Sequence, residues 1–346
     1  MDTHVGSKWV AHGRAPPRPG SGFDESERQH MSTIEEFQAA PAGAELAVLR
    51  LLSDDRNEQL LRTMVDGPVQ PIEIEGALRG YPHASLVDRL QVLWDDGIIM
   101  RYSAGGMPRT ARCELLPPGW QALEIHDFAF ARFDRSEELG HAGSLHALMR
   151  ALADGWACGL VQDLAWHERR RSELSAALPF THHQLSSRVD ALRRTGMVEL
   201  ATEKPKRFTL AQRGRETMEL VLLAVRWEAR HRPERGLDVP AQVASALLVA
   251  VGLAEPEGAD GVCALMVGDP AAGGRAAGVG VVVDGGEVRS AAVLPSDQPA
   301  PTAWVNGDVD AWFRALLEGN QSGLSLGGDL RLAKALLDSL FGWLAP

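Results

Sequence analysis

Residues 172–210 read SELSAALPFTHHQLSSRVDALRRTGMVELATEKPKRFTL, and the order of signals in this stretch decides the fold. Ser172 to Leu178 has the length of a short helix, and Thr181 supplies a hydroxyl where a second helix begins, accepting from backbone N–H groups that have no partner within it. That second helix runs to about Thr195, and Gly196 stops it. Two short strands follow, Met197 to Thr202 and Arg207 to Leu210, joined by the tip Glu203-Lys204-Pro205-Lys206. The pattern predicts a helix-turn-helix with a basic wing.

Within the second helix the apolar residues Leu185, Val189 and Leu192 recur at i, i+4 and i+7, so they share one face and bury it. His182, His183, Gln184, Ser187 and Arg188 are then available to base edges or phosphates near the end that enters a major groove. A solvated polar face is the bland reading of the same residues. The succession of helix, glycine and basic hairpin favours DNA. Adjacent histidines on a helix point about 100° apart, so His182 and His183 are poorly placed to chelate one metal.

The whole chain carries a formal charge of −11 over 346 residues, which argues against nucleic acid only if charge is spread evenly. It is not. Residues 141–231 are net +4, residues 41–126 net −4 and residues 232–346 net −7. No run of eighteen apolar residues suggests a membrane span, and the first thirty residues lack the apolar segment of a secretory signal. Cys113, Cys158 and Cys263 are too far apart for a disulfide framework or a zinc spacing. The expected compartment is the cytoplasm.

An internal repeat appears when the chain is compared with itself. Ala47 to Asp54 matches Ala147 to Asp154, and Leu60, Met64, Glu73 and Ile74 match Leu160, Leu164, Glu173 and Leu174. After one extra residue in the earlier turn, Leu86, Arg89, Leu93, Gly97 and Ile99 correspond to Leu185, Arg188, Leu192, Gly196 and Val198. Apolar, glycine and helix-face positions are the ones retained, as expected when two copies keep one core design. Each copy would open with a helix, residues 44–53 or 144–154, and the two helices are expected to pair within one chain as a pseudo-dimer. The first copy is the poorer DNA reader. Its helix 82–89 offers only His83, Ser85 and Arg89, and its wing 104–109 is apolar apart from Arg109.

The two copies resemble the HxlR-type family of bacterial winged-helix regulators. The likeness rests on Asp66-Gly67-Pro68, on Gly80 to Leu90 and on Gly97-Ile98-Ile99 in the first copy. In the second it rests on Ser172-Glu173-Leu174, Leu178-Pro179, Leu185 to Val189, Leu192, Gly196-Met197-Val198, Phe208-Thr209-Leu210 and Gly214. The resemblance implies DNA binding and a helix from Glu216 to Trp227 after the wing. Two features depart from the family, which has one unit per chain and frequently a sensing cysteine ahead of its first helix. Here the unit is duplicated, and the stretches directly ahead of the two helices, Pro41-Ala42-Gly43 and His141-Ala142-Gly143-Ser144, hold no cysteine.

After Gly236 the composition turns to Ala, Gly and Val. Val243 to Val251 reads as a buried helix or strand. Cys263 to Val267, Val279 to Val283 and Val288 to Leu294 read as strands, the last two joined through Asp284-Gly285-Gly286. Asp308 and Asp329 are placed to start two final helices. Val305-Asn306-Gly307-Asp308, Leu316 to Gly319 and Leu326 to Asp329 resemble the end of a sterol-carrier-protein-type domain. That resemblance implies an apolar cavity, with Trp304, Trp312, Phe313, Leu316 and Leu336 as candidate lining. Plain core packing is the alternative for the same residues, and dimerisation is an equally open role for the domain.

The expected fold class is therefore α+β. A disordered leader (1–40) precedes two tandem winged helix-turn-helix domains (41–126 and 127–235), and a small sterol-carrier-like α/β sandwich domain (236–346) serves as effector or dimerisation module. The chain holds no Gly-x-Ser-x-Gly, no Walker loop and no His-Glu-x-x-His. Nor does it hold the Gln-x-Gln pair of tandem winged-helix DNA glycosylases, so no catalytic role, cofactor or metal is expected. The expected partners are double-stranded DNA and a hydrophobic small-molecule effector, acting on a monomeric pseudo-dimer or a homodimer. The rival is a protein that sequesters an apolar compound on a winged-helix scaffold; a DNA-repair glycosylase is the lesser alternative.

Overall fold

The computed structural model describes residues 45–78, 80–104, 110–133, 145–178, 181–268, 275–293 and 301–344. The leader expected over 1–40, and the tip of the first wing, lie outside them. The described chain is α+β, and one order of elements occurs twice. First come α1 (Ala47–Leu52), α2 (Asp55–Arg62), α3 (Pro71–Ala77), α4 (His83–Asp95), the hairpin β1 (Ile99–Ala104) and β2 (Thr110–Leu115), and α5 (Pro117–Phe133). Then come α6 (Leu145–Ala153), α7 (Gly155–Trp166), α8 (Arg171–Ala177), α9 (His182–Arg194), β3 (Val198–Glu203), β4 (Lys206–Leu210), α10 (Gln212–Glu216) and α11 (Met218–His231).

Matching local interactions shape both sets. The Glu73 carboxylate accepts from the Gln70 N–H at 2.7 Å where α3 begins, and Glu173 accepts from the Arg170 N–H at 2.9 Å where α8 begins. Leu86, Leu90 and Leu93 bury one face of α4, as Leu185, Val189 and Leu192 do for α9. Both helices end at a glycine with left-handed backbone, Gly97 at φ +66° and Gly196 at φ +73°. An isolated bridge adds a third short strand to each hairpin, Val69 with Cys113 and Arg169 with Phe208. Gly119 and Gly214 let the following helix touch the hairpin base: a Cβ would lie 2.6 Å from the Ile98 carbonyl oxygen in one and 2.5 Å from that of Met197 in the other.

The two sets meet helix to helix. The Leu46 N–H donates to Ala153 at 3.2 Å, and Arg150 donates to the Ser53 carbonyl at 2.9 Å, joining α1 to α6. Helix α11 runs through the middle of the molecule. Its Trp227 indole donates to the Pro118 carbonyl at 2.9 Å, and its Glu228 accepts the Val48 N–H at 3.0 Å, capping α1 from outside. The expected boundary at 126/127 falls inside α5. Ala122, Leu123, Ile125, Ala129 and Phe133 form one buried stripe across it, and a chain break there would expose that stripe.

The C-terminal part contains a five-stranded sheet in the order β7-β6-β5-β8-β9. Its strands are β5 (Gly261–Val267), β6 (Ala277–Asp284), β7 (Glu287–Val293), β8 (Ala303–Gly307) and β9 (Ser325–Gly328). Among the described residues, only β5 and β8 pair in parallel. The segment left open between helix and strand is helix α12 (Val239–Ala250), capped by Asp238 and buried from Ala241 to Ala250. A ten-residue buried stretch, apolar apart from Gln242 and Ser245, exceeds a typical strand and suits a core helix. Helices α13 (Val309–Glu318) and α14 (Leu330–Leu344) complete the layer. Asp308 and Asp329 stand at their starts and accept from the N–H groups of Ala311 and Arg331.

The five residues proposed to line one apolar cavity do not share a face of this sheet. Trp312, Phe313, Leu316 and Leu336 are at most 3% exposed and pack with Ala303 and Val305 in the main core. Trp304, between Ala303 and Val305 on β8, points to the other face, beside Ala264 and Met266. The Trp312 indole donates to the Met266 carbonyl at 2.7 Å, which fixes that ring as a core strut. Side-chain alternation along a strand defeats the single-cavity expectation. Among the described residues, no helix is long and apolar enough to cross a membrane.

Candidate nucleic-acid interface

Helix α9 begins with a reciprocal cap. Thr181 accepts the Gln184 N–H at 3.3 Å, and the Gln184 side-chain oxygen accepts the Thr181 N–H at 3.1 Å. One end of Gln184 thus serves the helix start. His182 and His183 are exposed beside it. Opposite the buried Leu185, Val189 and Leu192, the helical period brings His183, Ser187 and Arg194 into one exposed row. Asp190 borders that row, and Arg171 neutralises it at 2.7 Å while also donating to Ser186 at 2.9 Å.

Arg188 is not free to hold a phosphate as expected. Its Nε donates to the Asp154 carboxylate at 3.0 Å, which ties α9 to the corner between α6 and α7. Arg89 of α4 does the same in the first set, lying 2.7 Å from Asp54 and donating to Asn57 at 2.6 Å. Both arginine side chains are only about a quarter exposed, 26% and 27%. The Arg56 and Arg89 guanidinium groups also lie over the Tyr81 ring, at 5.3 and 6.0 Å. The arginine and aspartate recur, Arg89 with Asp54 and Arg188 with Asp154, and form equivalent fastenings.

On the wing, Glu203 pairs with Lys206 in register, and the hairpin tip leaves Lys204 and Lys206 exposed. Arg207 sits one position below the tip, opposite Thr202. It donates to the Glu168 carbonyl at 3.0 Å and lies 3.7 Å from the Glu173 carboxylate, so it braces the wing against α8. The Arg170 N–H, and then Arg207, hold the Glu173 carboxyl below its ordinary range. Arg193 and Arg194 are exposed residues that the sequence reading passed over. Their signal was available: two basic residues follow the last buried position of the helix.

The first set presents different chemistry. At positions equivalent to His183, Ser187 and Arg194 it has Ala84, Asp88 and Asp95, all exposed. Val87, Val92 and Trp94 are also 44–56% exposed on α4. Of its four expected contacts, Ser85 is exposed, His83 is held by Glu75 at 2.9 Å, Arg89 is in the ion pair above, and Arg109 lies outside the described residues. Two aspartates on the outward row repel a polyanion, so the two helices differ in sign where they are most accessible.

No family model matches this chain, and no curated protein matches it. Two solved structures are similar to part of it. One is a transcriptional regulator of the MarR family from Enterococcus faecalis V583, at 18% identity and a TM-score of 0.23, covering 32% of this chain and 86% of that one. The other is the reduced form of the transcriptional regulator YodB from B. subtilis, at 18% identity and a TM-score of 0.25, covering 34% of this chain and 99% of that one.

Proposed function

We propose that this chain is a DNA-binding transcriptional regulator with two tandem winged-helix units, of which the second reads the duplex and the first serves as its partner within the chain. The observation that carries this reading is the contrast between the two outward rows, His183, Ser187 and Arg194 against Ala84, Asp88 and Asp95. The fastenings are alike, so the two helices are held similarly; the outward row of the second offers donors to an anionic groove, and that of the first, Ala84, Asp88 and Asp95, does not. Arg194 and the wing lysines Lys204 and Lys206 supply phosphate contacts, while His182, His183 and Ser187 inspect base edges. Arg188, Arg89 and Arg207 hold the scaffold. With its first unit as a built-in partner, the protein has one reading helix per chain and no requirement for a palindromic site.

We place a small effector behind the reading helix. A groove of about 330 Å³ separates α6 from α9, floored by Ala147, Ala151 and Ala191 and rimmed by Arg150, Arg188 and Arg194. A ligand there would press on the helix that meets DNA. The C-terminal layer braces α7 and α10 instead: Arg215 on α10 donates to the carbonyls of Val249 on α12 and Ala165 on α7, and the Trp166 indole on α7 donates to Leu248 on α12.

The test uses the full chain and a labelled mixed-sequence duplex at low salt, followed by fluorescence anisotropy. Binding is expected, with Arg194→Ala weakening it several-fold and Asp88→Ala leaving it unchanged. Failure of the chain to bind, or an equal loss from both substitutions, would overturn the reading.

A further inference from the structure

We propose that Glu58, His126 and His146 form a divalent transition-metal site, suited to Zn²⁺, at the seam between the two sets of elements. The three residues come from three helices, Glu58 on α2, His126 on α5 and His146 on α6. One donor atom from each lies within 4.8 Å of the other two. The imidazole centroids are 5.8 Å apart with the rings inclined by 39°.

Two observations point to a ligand rather than to structural packing. His126 is 4% exposed, and its Nε2 has no hydrogen-bond partner; the Nε2 of His146 is likewise buried and unpartnered. Buried polar atoms are nearly always satisfied, so two orphaned imidazole nitrogens on residues clustered with a carboxylate call for something that accepts their lone pairs.

The surroundings fit a metal ligand's outer shell. Asp127 lies 3.7 Å from His126 Nδ1, close enough to orient the ring through a small side-chain rotation. Arg62 donates toward the same Nδ1 at 3.2 Å and pairs with Glu58 and Asp127. A metal on Nε2 requires the proton on Nδ1, so that nitrogen changes from acceptor of Arg62 to donor toward Asp127. Arg62 engages only Oε1 of Glu58, and the second carboxylate oxygen remains for the metal. In tetrahedral coordination the donors close to roughly 3.3 Å of one another, given Zn–N bonds of about 2.0–2.1 Å. Side-chain rotation supplies that contraction. Two nitrogens and one oxygen suit Zn²⁺ or Co²⁺ and leave a fourth position for water. The arrangement would clamp α2 and α5 to α6, the helix that underlies α9 through Asp154.

The inference does not depend on DNA reading and is tested without DNA. The untagged full chain, cleared of metal by chelation, is titrated with Co²⁺ and then Zn²⁺. One Co²⁺ per chain is expected, with the intense visible absorption of a four-coordinate centre, which Zn²⁺ then displaces. His146→Gln, at a half-buried position near the start of α6, should abolish that signal with an unchanged circular dichroism spectrum. Asp127→Asn should weaken affinity about tenfold or more as an outer-shell change, and Arg62→Gln should strengthen it by removing the competing cation. Absence of 1:1 Co²⁺ binding at micromolar protein, or binding unaffected by both His146→Gln and Glu58→Gln, would overturn the proposal.

Discussion

Replacing Lys204 and Lys206 together by alanine removes two exposed charges from the tip of the second wing without touching any buried group. If both neutralise phosphates, two counterions fewer are released on binding, and the slope of log K against log salt falls by about 1.8 for B-form DNA. Referred to 1 M salt, that slope change predicts a loss of about 30-fold at 0.15 M and about 200-fold at 0.05 M, with the two proteins converging near 1 M. Because the effect is electrostatic, it should be the same for any duplex sequence. Anisotropy titrations of the full chain across that salt range, on two unrelated duplexes, measure slope and affinity together. Unfolding in urea should be unchanged, since exposed surface substitutions of this kind stay within about 0.5 kcal/mol. An equal affinity at all salt concentrations would refute the reasoning, as would a loss with no change of slope. The first result would mean that the wing does not approach the phosphates, and the second that the lysines act through something other than charge.

Two further substitutions test the scaffold. Arg188→Ala should lower stability in urea by only about 0.5–1 kcal/mol, because its pair with Asp154 is partly exposed. Arg89→Ala should behave alike, and neither should alter the salt slope of DNA binding. If Arg188→Ala instead leaves stability untouched and lowers the slope by about one, the arginine holds a phosphate and the fastening is incidental. Glu219 governs a pH effect. Burial pushes its carboxyl up to about 7, and Arg132 at 3.3 Å counters only part of this. With the folded pKa above that of the unfolded chain, the folded state binds the extra proton between about pH 4.5 and 7. Its contribution is therefore complete at the acid end and lost as pH rises through 7, on the order of 3 kcal/mol. Glu219→Gln should be more stable than the parent at pH 8 by an amount that shrinks towards pH 5. A difference independent of pH would show that the carboxyl titrates normally.

Much of the fold is legible in the sequence because its signals are local. Thr181, Gly196, Asp308 and the periodic leucines act within a turn or two of chain, and the repeat is visible because the same short-range devices recur about one hundred residues apart. The alternation of Leu185, Val189 and Leu192 also shows which face of α9 is buried. Whether a polar residue on the remaining surface is available was beyond its reach. Arg188 and His183 look equally eligible in the sequence, yet a carboxylate 34 residues away occupies the first and none of the described contacts holds the second.

The helices and hairpin of residues 172–210 and the caps of the two final helices were determined by the sequence alone, since hydrogen-bond capping, glycine conformations and apolar spacing act between near neighbours. Tertiary structure decided the fate of individual side chains. It turned Arg89, Arg188 and Arg207 inward as braces, placed Trp304 and Trp312 on opposite faces of a sheet, and brought His126 and His146 to Glu58. Each of those outcomes depends on a partner from a distant segment, and the strength of a charge or an imidazole as a ligand is set by what packing leaves beside it.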